Sequence, residues 1–208
     1  MQDNTSKVAI FGYGSLMTHS SVLRTMPSAS RFRYGHLQAY SRSFSLVSIA
    51  GIKSEQADFD SMEVAALAIR PATLVEEGGN NVMGCIFDIP DTELGPYKER
   101  EHRYRIQRVQ VVDYATPLPH STTECYTCVE QTDEDYRATI YKTIAQGGMG
   151  MGMGAAEDSG DAEYQERIGQ YYKGRLWGRI DILPMRNYLK MVLESAVAAD
   201  VAILGGVE

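Results

Sequence analysis

Two short stretches of this chain hold residues whose types and spacing suit chemistry. The first is Val8-Ala9-Ile10-Phe11-Gly12-Tyr13-Gly14-Ser15-Leu16-Met17. Apolar residues of strand type run into two glycines flanking a tyrosine, then a serine. Glycine admits positive φ and lets a ligand approach the backbone closely. A strand that ends in such a turn leaves backbone N–H groups pointing outward. These hold an anionic or carbonyl oxygen without a basic side chain. The second stretch is Tyr97-Lys98-Glu99-Arg100-Glu101-His102-Arg103-Tyr104, with two carboxylates in a run of charge. A carboxylate within reach of a mobile proton can act as a general base. On a strand Glu99 and Glu101 share a face; on a helix they do not. Residue types alone leave the choice between them open.

Other chemistry-bearing residues read as structural. Cys125 and Cys128 form a Cys-x-x-Cys, but the context Glu124-Cys125-Tyr126-Thr127-Cys128-Val129 is that of a strand. There the two thiols point to opposite faces. No second Cys or His pair completes a zinc site, and His19, His36, His102 and His120 are scattered. No metal is expected. Cys85 is the third cysteine, and three thiols fit a reducing compartment better than a disulfide framework. Methionine thioethers suit Cu(I), yet the tract from Gly147 to Gly154 alternates glycine and methionine and reads as a flexible loop.

A resemblance adds to this. Gly12-Tyr13-Gly14-Ser15-Leu16 is similar to the signature of the γ-glutamylcyclotransferase family, including its ChaC-like branch. Further parts follow in order over residues 8–130. Tyr40-Ser41-Arg42-Ser43-Phe44 resembles the family's Arg-x-Phe stretch. Ala65 to Ile69 and Met83 to Ile89 resemble its paired strands. Glu101 falls on the position of the family's catalytic glutamate, and Tyr126 on a late strand that carries a tyrosine. One departure is Lys98, where the family often has Asp. The resemblance selects Glu101 over Glu99.

What the resemblance implies is cleavage of a γ-glutamyl amide without water. The substrate's α-amino group attacks its own γ-carbonyl, a five-membered lactam closes, and 5-oxoproline and an amine or amino acid leave. Because attack is intramolecular, a folded substrate supplies much of the entropic advantage. The protein then needs a base, assigned to Glu101, and donors for the oxyanion. The turn Tyr13, Gly14, Ser15 and Leu16 binds the glutamyl oxygens, Arg42 reaches a carboxylate, and Tyr126 donates in the pocket. No cofactor is required. The alternatives are a γ-glutamylamine cyclotransferase and a non-catalytic binding or regulatory module on the same fold.

The elements must place Glu101 against the glycine turn. Hydrophobic periodicity and turn residues predict strands over Val8–Phe11, Leu37–Ile49, Glu63–Arg70, Val82–Ile89, Tyr104–Val112 and Glu124–Gln131. Residues 76–81 form the turn between the third and fourth. Helical turns are expected in Ser15–Thr25 and in Asp91–Arg100, the latter interrupted by Gly95-Pro96, with a helix over Asp133–Ala145. Ile168–Ile180 reads as an extended segment packed on the barrel. Pro184 opens a last helix with an apolar stripe of Tyr188, Leu189, Val192, Leu193, Ala196 and Val197. Arg186, Lys190 and Glu194 take its solvated face.

Strands and helices do not alternate regularly, which points to α+β. The resemblance sharpens this to a small mixed β-barrel of about five to seven strands flanked by helices. The expected organisation is a catalytic domain over residues 1–145, a Gly/Met-rich loop over 146–161, and a C-terminal helical extension over 162–208 packed on the same domain.

Composition bounds the partners. The 208 residues suffice for a good core. At 44% hydrophobic and 23% charged the chain is not disordered. A net charge of −7 disfavours nucleic acid and anionic membrane surfaces, despite the basic and aromatic residues of 168–180. The partner expected is a small γ-glutamyl compound, with the chain a monomer or homodimer. The start is polar and lacks a signal-peptide core. A cytoplasmic location is expected, or an organellar one if a targeting peptide has been removed.

Overall fold

The computed structural model describes residues 6–72, 80–115, 121–147 and 160–204. Its centre is a closed barrel with strand order β1-β5-β2-β6-β7. The strands are β1 (Lys7–Gly12), β2 (Ser30–Gln38), β5 (Asn81–Pro90), β6 (Arg105–Asp113) and β7 (Thr122–Val129). Neighbours run antiparallel except at the closure, where β1 meets β7 in parallel with Ile10 opposite Tyr126. Beside the barrel, β3 (Tyr40–Val47), β4 (Glu63–Pro71) and the short β8 (Leu183–Pro184) form a second sheet. The architecture is α+β, as expected.

Apolar residues drive both layers. Ile10, Phe11, Ile86, Phe87, Ile89 and Val111 are buried in the barrel core. Leu46, Val64, Ala65, Ile168, Leu176 and Trp177 form a second core on the smaller sheet. Full burial of each such large side chain stabilises by about 1.5–3 kcal/mol. β5 is buried along most of its length because it pairs on both edges within the barrel, and its sequence reads as a continuous apolar run for that reason.

The expected strand over Leu37–Ile49 is two strands in different sheets. Ala39 separates them with φ +60°, a left-handed conformation that ends one ladder and redirects the chain. β2 also begins earlier, at Ser30; a register shift between Ser30 and Arg33 and polar Arg31 and Arg33 mask its period of two. Here Arg33 donates from Nε to Asp113 at 2.7 Å and from Nη1 to Asp88 at 3.2 Å, joining three barrel strands. Burial would neutralise unpaired charges, and this pairing offsets that cost.

Helical turns form within Ser15–Thr25 as expected, and three other helical predictions are corrected. α1 (His19–Thr25) starts after a turn, with the Thr18 hydroxyl accepting from Ser21 N–H. Gly95-Pro96 does not interrupt a helix: after a 3₁₀ turn at Asp91–Glu93, α3 (Leu94–Arg100) carries Pro96 in its first turn, where no N–H is needed. Pro184 lies in β8, paired with β4, so the last helix, α6 (Arg186–Leu204), begins two residues later. Its buried positions are Val192, Ser195 and Ala199, whereas Leu193 and Val197 of the expected stripe are 56% and 63% exposed. The solvated face is as expected, with Lys190 and Glu194 paired at 3.8 Å.

Helix α2 (Ile49–Lys53) connects the smaller sheet, capped by the Ser48 hydroxyl on Gly51 N–H. α4 (Asp133–Gly147) follows β7. α5 covers 160–169, its last turn a π-turn at Gln165–Gly169. The expected extended segment 168–180 therefore starts helically. It packs on the smaller sheet rather than the barrel, with Val47 N–H donating to Leu176 O at 2.9 Å. Asp133 accepts from the N–H groups of Leu176 and Trp177. The expected turn at 76–81 falls largely, and the Gly147–Gly154 tract from 148 onward, outside the described residues. No helix of the described residues is long and apolar enough to cross a membrane.

Candidate active site

The glycine turn leaves β1 and lies against a small pocket. Gly12, Tyr13, Gly14, Ser15 and Leu16 line one side. The rest comes from distant elements: Leu67 of β4, Tyr97 of α3, Glu101 and Tyr104 of the turn before β6, Cys128 of β7 and Tyr188 of α6. Glu101 is the one acidic side chain of the lining.

Local sequence explains the turn only in part. Neither Gly12 nor Gly14 has positive φ; among the described glycines only Gly178 does. The expectation of left-handed glycines is thus corrected, and space is the reason for glycine. A Cβ on Gly12 would stand 2.9 Å from Leu16 Cβ. One on Gly14 would stand 3.1 Å from the Tyr188 hydroxyl and 3.5 Å from Leu67 Cδ2. The turn closes with Met17 N–H donating to Gly14 O at 3.2 Å. Among the described residues the N–H groups of Gly14, Ser15 and Leu16 make no hydrogen bond. Backbone donors of this kind suit an oxyanion.

Glu101 is the C-cap of α3, with φ −94° and ψ 20°. Its N–H donates to Tyr97 O at 3.0 Å, and Tyr104 N–H donates to Glu101 O at 2.8 Å. One full turn separates Tyr97 from Glu101, so both sit on the same side of the helix end. Glu99 points elsewhere: its carboxylate is 68% exposed and pairs with Arg167 at 2.8 Å. Arg100 Nε donates to one Glu101 oxygen at 2.9 Å, leaving the other oxygen for a ligand.

Four tyrosines wall the pocket. Tyr13 donates to Cys128 O at 2.7 Å and Tyr104 to Leu67 O at 3.0 Å; Tyr97 OH lies 3.2 Å from Cys128 Sγ. Burial holds the Tyr13, Tyr97 and Tyr104 phenols well above the ordinary value near 10, and pushes Tyr188 up to about 12. All four are neutral donors at physiological pH. The cysteines are equally protonated: burial raises Cys85 and Cys125 to about 12 and Cys128 higher.

Two expected site residues are not in this pocket. Arg42 lies behind the turn, where its guanidinium donates to Tyr13 O at 3.3 Å and to Met83 O. It braces the turn from β3, because the side chains of that strand alternate and this one faces β1 and β5. Tyr126 lies on the outer side of β7. There Arg108 donates to its hydroxyl at 2.8 and 3.0 Å, with Lys98 over its ring. Sequence reading missed Tyr97, Tyr104, Leu67, Cys128 and Tyr188. The spacing of Tyr97 and Glu101 was a signal for the first. None exists for Tyr188, which tertiary packing alone brings in.

Fold and site together define an α+β protein in which a closed barrel carries a tyrosine-walled pocket with one carboxylate. No protein-family model matches the chain, and no curated protein matches it. Solved structures similar to it include one described as a gamma-glutamyl cyclotransferase. That structure is 14% identical and covers 91% of this chain and 99% of its own, with a TM-score of 0.46. An uncharacterized human protein is 16% identical over 90% of this chain and 98% of its own, with a TM-score of 0.45. A gamma glutamyl cyclotransferase specific to glutathione, from yeast, is 12% identical over 93% and 97%, with a TM-score of 0.45.

Proposed function

We propose that the protein is a γ-glutamyl cyclotransferase with Glu101 as its base. The observation that carries this reading is the placement of Glu101 and the unpaired N–H groups of Gly14, Ser15 and Leu16 around one pocket. The motif resemblance of residues 8–130 supports it. The γ-carbonyl oxygen binds the turn's N–H groups, which stabilise the charge that develops on it. Glu101 takes a proton from the α-ammonium group, and the freed α-nitrogen attacks the γ-carbon. The bond from that carbon to the leaving nitrogen then breaks. Two protons pass in all from the α-nitrogen to the leaving nitrogen, so Glu101 ends unchanged. The neutral tyrosines exclude water and keep the substrate folded for attack.

The test is release of 5-oxoproline from glutathione, a γ-glutamyl amino acid and γ-glutamyl-lysine. Turnover of at least one is expected; silence on all three sinks the reading. The Arg100–Glu101 ion pair favours a second reading, a non-catalytic binding module, since it engages one oxygen of the base. That reading is distinguished by ligand binding without 5-oxoproline.

A further inference from the structure

A second cavity adjoins the pocket and shares Ser15, Glu101, Tyr104 and Tyr188 with it. This groove continues past Ser48, Ser54, Gln56 and Asn187. Its lining carries two charged residues, Glu101 and Arg103. Glu101 already has Arg100. Arg103 has no carboxylate partner among the described residues, and its Nε is buried without any hydrogen bond. The turn that carries it is held firmly: Gln131 Nε2 donates to Arg103 O at 2.6 Å. The Nη atoms are not sealed off as Nε is, and they are the part of the guanidinium that can meet a carboxylate from the groove through parallel N–H groups. The positive charge of Arg103 also acts on the phenols of Tyr104 and Tyr188, lowering both against their burial. Its charge therefore reaches the walls common to pocket and groove.

With the glutamyl part in the pocket and Glu101 at the boundary, the leaving amine lies on the groove side. We propose that Arg103 is a specificity-determining residue that binds a carboxylate on the leaving group, so that the protein selects γ-glutamyl compounds with an anionic leaving amine. This inference rests on the cyclotransferase reading and goes further, because it decides among leaving groups. Gln56 and Asn187 add neutral hydrogen-bonding groups for the remainder of such a leaving group, whereas the Ser48 and Ser54 hydroxyls are engaged on α2.

The test compares γ-glutamyl-alanine with γ-glutamyl-ethylamine, which differ by that carboxylate alone, through 5-oxoproline release by the full chain. The wild type is expected to favour γ-glutamyl-alanine in kcat/KM by about 10- to 100-fold, the range of a charge-assisted hydrogen bond, chiefly through KM. In Arg103→Gln the ratio of the two kcat/KM values should fall to near one; Arg103→Lys should restore part of it. Arg103→Met keeps the aliphatic stem and carries the same expectation should the glutamine variant fail to fold. Equal wild-type use of both substrates overturns the inference and leaves the cyclotransferase reading standing. So does an unchanged ratio in the variants, or an equal loss on both substrates, which would place Arg103 on the glutamyl carboxylate. No 5-oxoproline from either substrate overturns the inference, and silence on glutathione and γ-glutamyl-lysine as well overturns the cyclotransferase reading with it.

Discussion

Tyr13 donates its phenolic hydrogen to the carbonyl of Cys128 at 2.7 Å, tying the turn that leaves β1 to the end of β7. These are the strands whose parallel contact closes the barrel. The same Cys128 offers its thiol to Tyr97 at 3.2 Å, so one residue fixes two walls of the pocket. Tyr13→Phe removes the donor and leaves a buried carbonyl without it. The expected loss is about 1–3 kcal/mol, read as a fall in Tm of about 2–4 °C for each kcal/mol. An unchanged Tm counts against this hydrogen bond as a brace.

Glu101→Gln should abolish turnover while leaving the fold intact. Size and much of the hydrogen bonding are kept, and the base is lost, at about 10²- to 10⁴-fold in kcat. Glu99→Gln should retain activity, because Glu99 lies outside the pocket in an exposed pair with Arg167. Steady-state 5-oxoproline release from both variants decides the assignment, and the reverse result moves the base to Glu99.

Gly14→Val should weaken binding of a γ-glutamyl ligand. The first added carbon already stands 3.1 Å from the Tyr188 hydroxyl and 3.5 Å from Leu67, and branching adds bulk toward the pocket. Calorimetric titration with a non-cleavable γ-glutamyl analogue reads the loss. Full affinity in a folded variant means that the turn does not bind the ligand.

Stability should fall in mild acid through His102. Burial first, then the charges of Arg167, Arg103 and Lys53, lower its folded value from 6.5 to about 4, and Nδ1 is engaged by the Tyr136 hydroxyl at 2.7 Å. Between those values the unfolded chain binds a proton that the folded chain refuses. The stabilisation is therefore complete above about pH 6.5 and declines as pH drops toward about 4. Tm measured over this window should slope less steeply in His102→Asn; identical slopes would falsify the assignment.

Charge, apolar patterning and turn residues are properties of short stretches, and these were legible. The run from Val8 to Leu16 announces a strand entering a ligand-sized turn, because glycine and alternation act within a few residues. Val82–Ile89 announces itself as a buried strand for the same reason. The α+β class follows from the order of such elements. In the candidate site, Tyr13, Gly14, Ser15, Leu16 and Glu101 were named from the sequence, and all five line one pocket.

Short-range order in the chain thus sets which residues form strands, where the chain turns, and which short motifs carry polar chemistry. Tertiary structure decided which of these meet. Ala39 splits one alternating stretch between two sheets, and a single left-handed residue has no periodicity to reveal it. Arg42 and Tyr126 share the chemistry of a site residue, yet strand register turns one behind the turn and the other outward. Tyr188 reaches Gly14 from a helix more than 170 residues along the chain, and Arg103 meets the groove without an acid to pair it. Side-chain direction depends on register and packing, which are set by contacts distant in sequence.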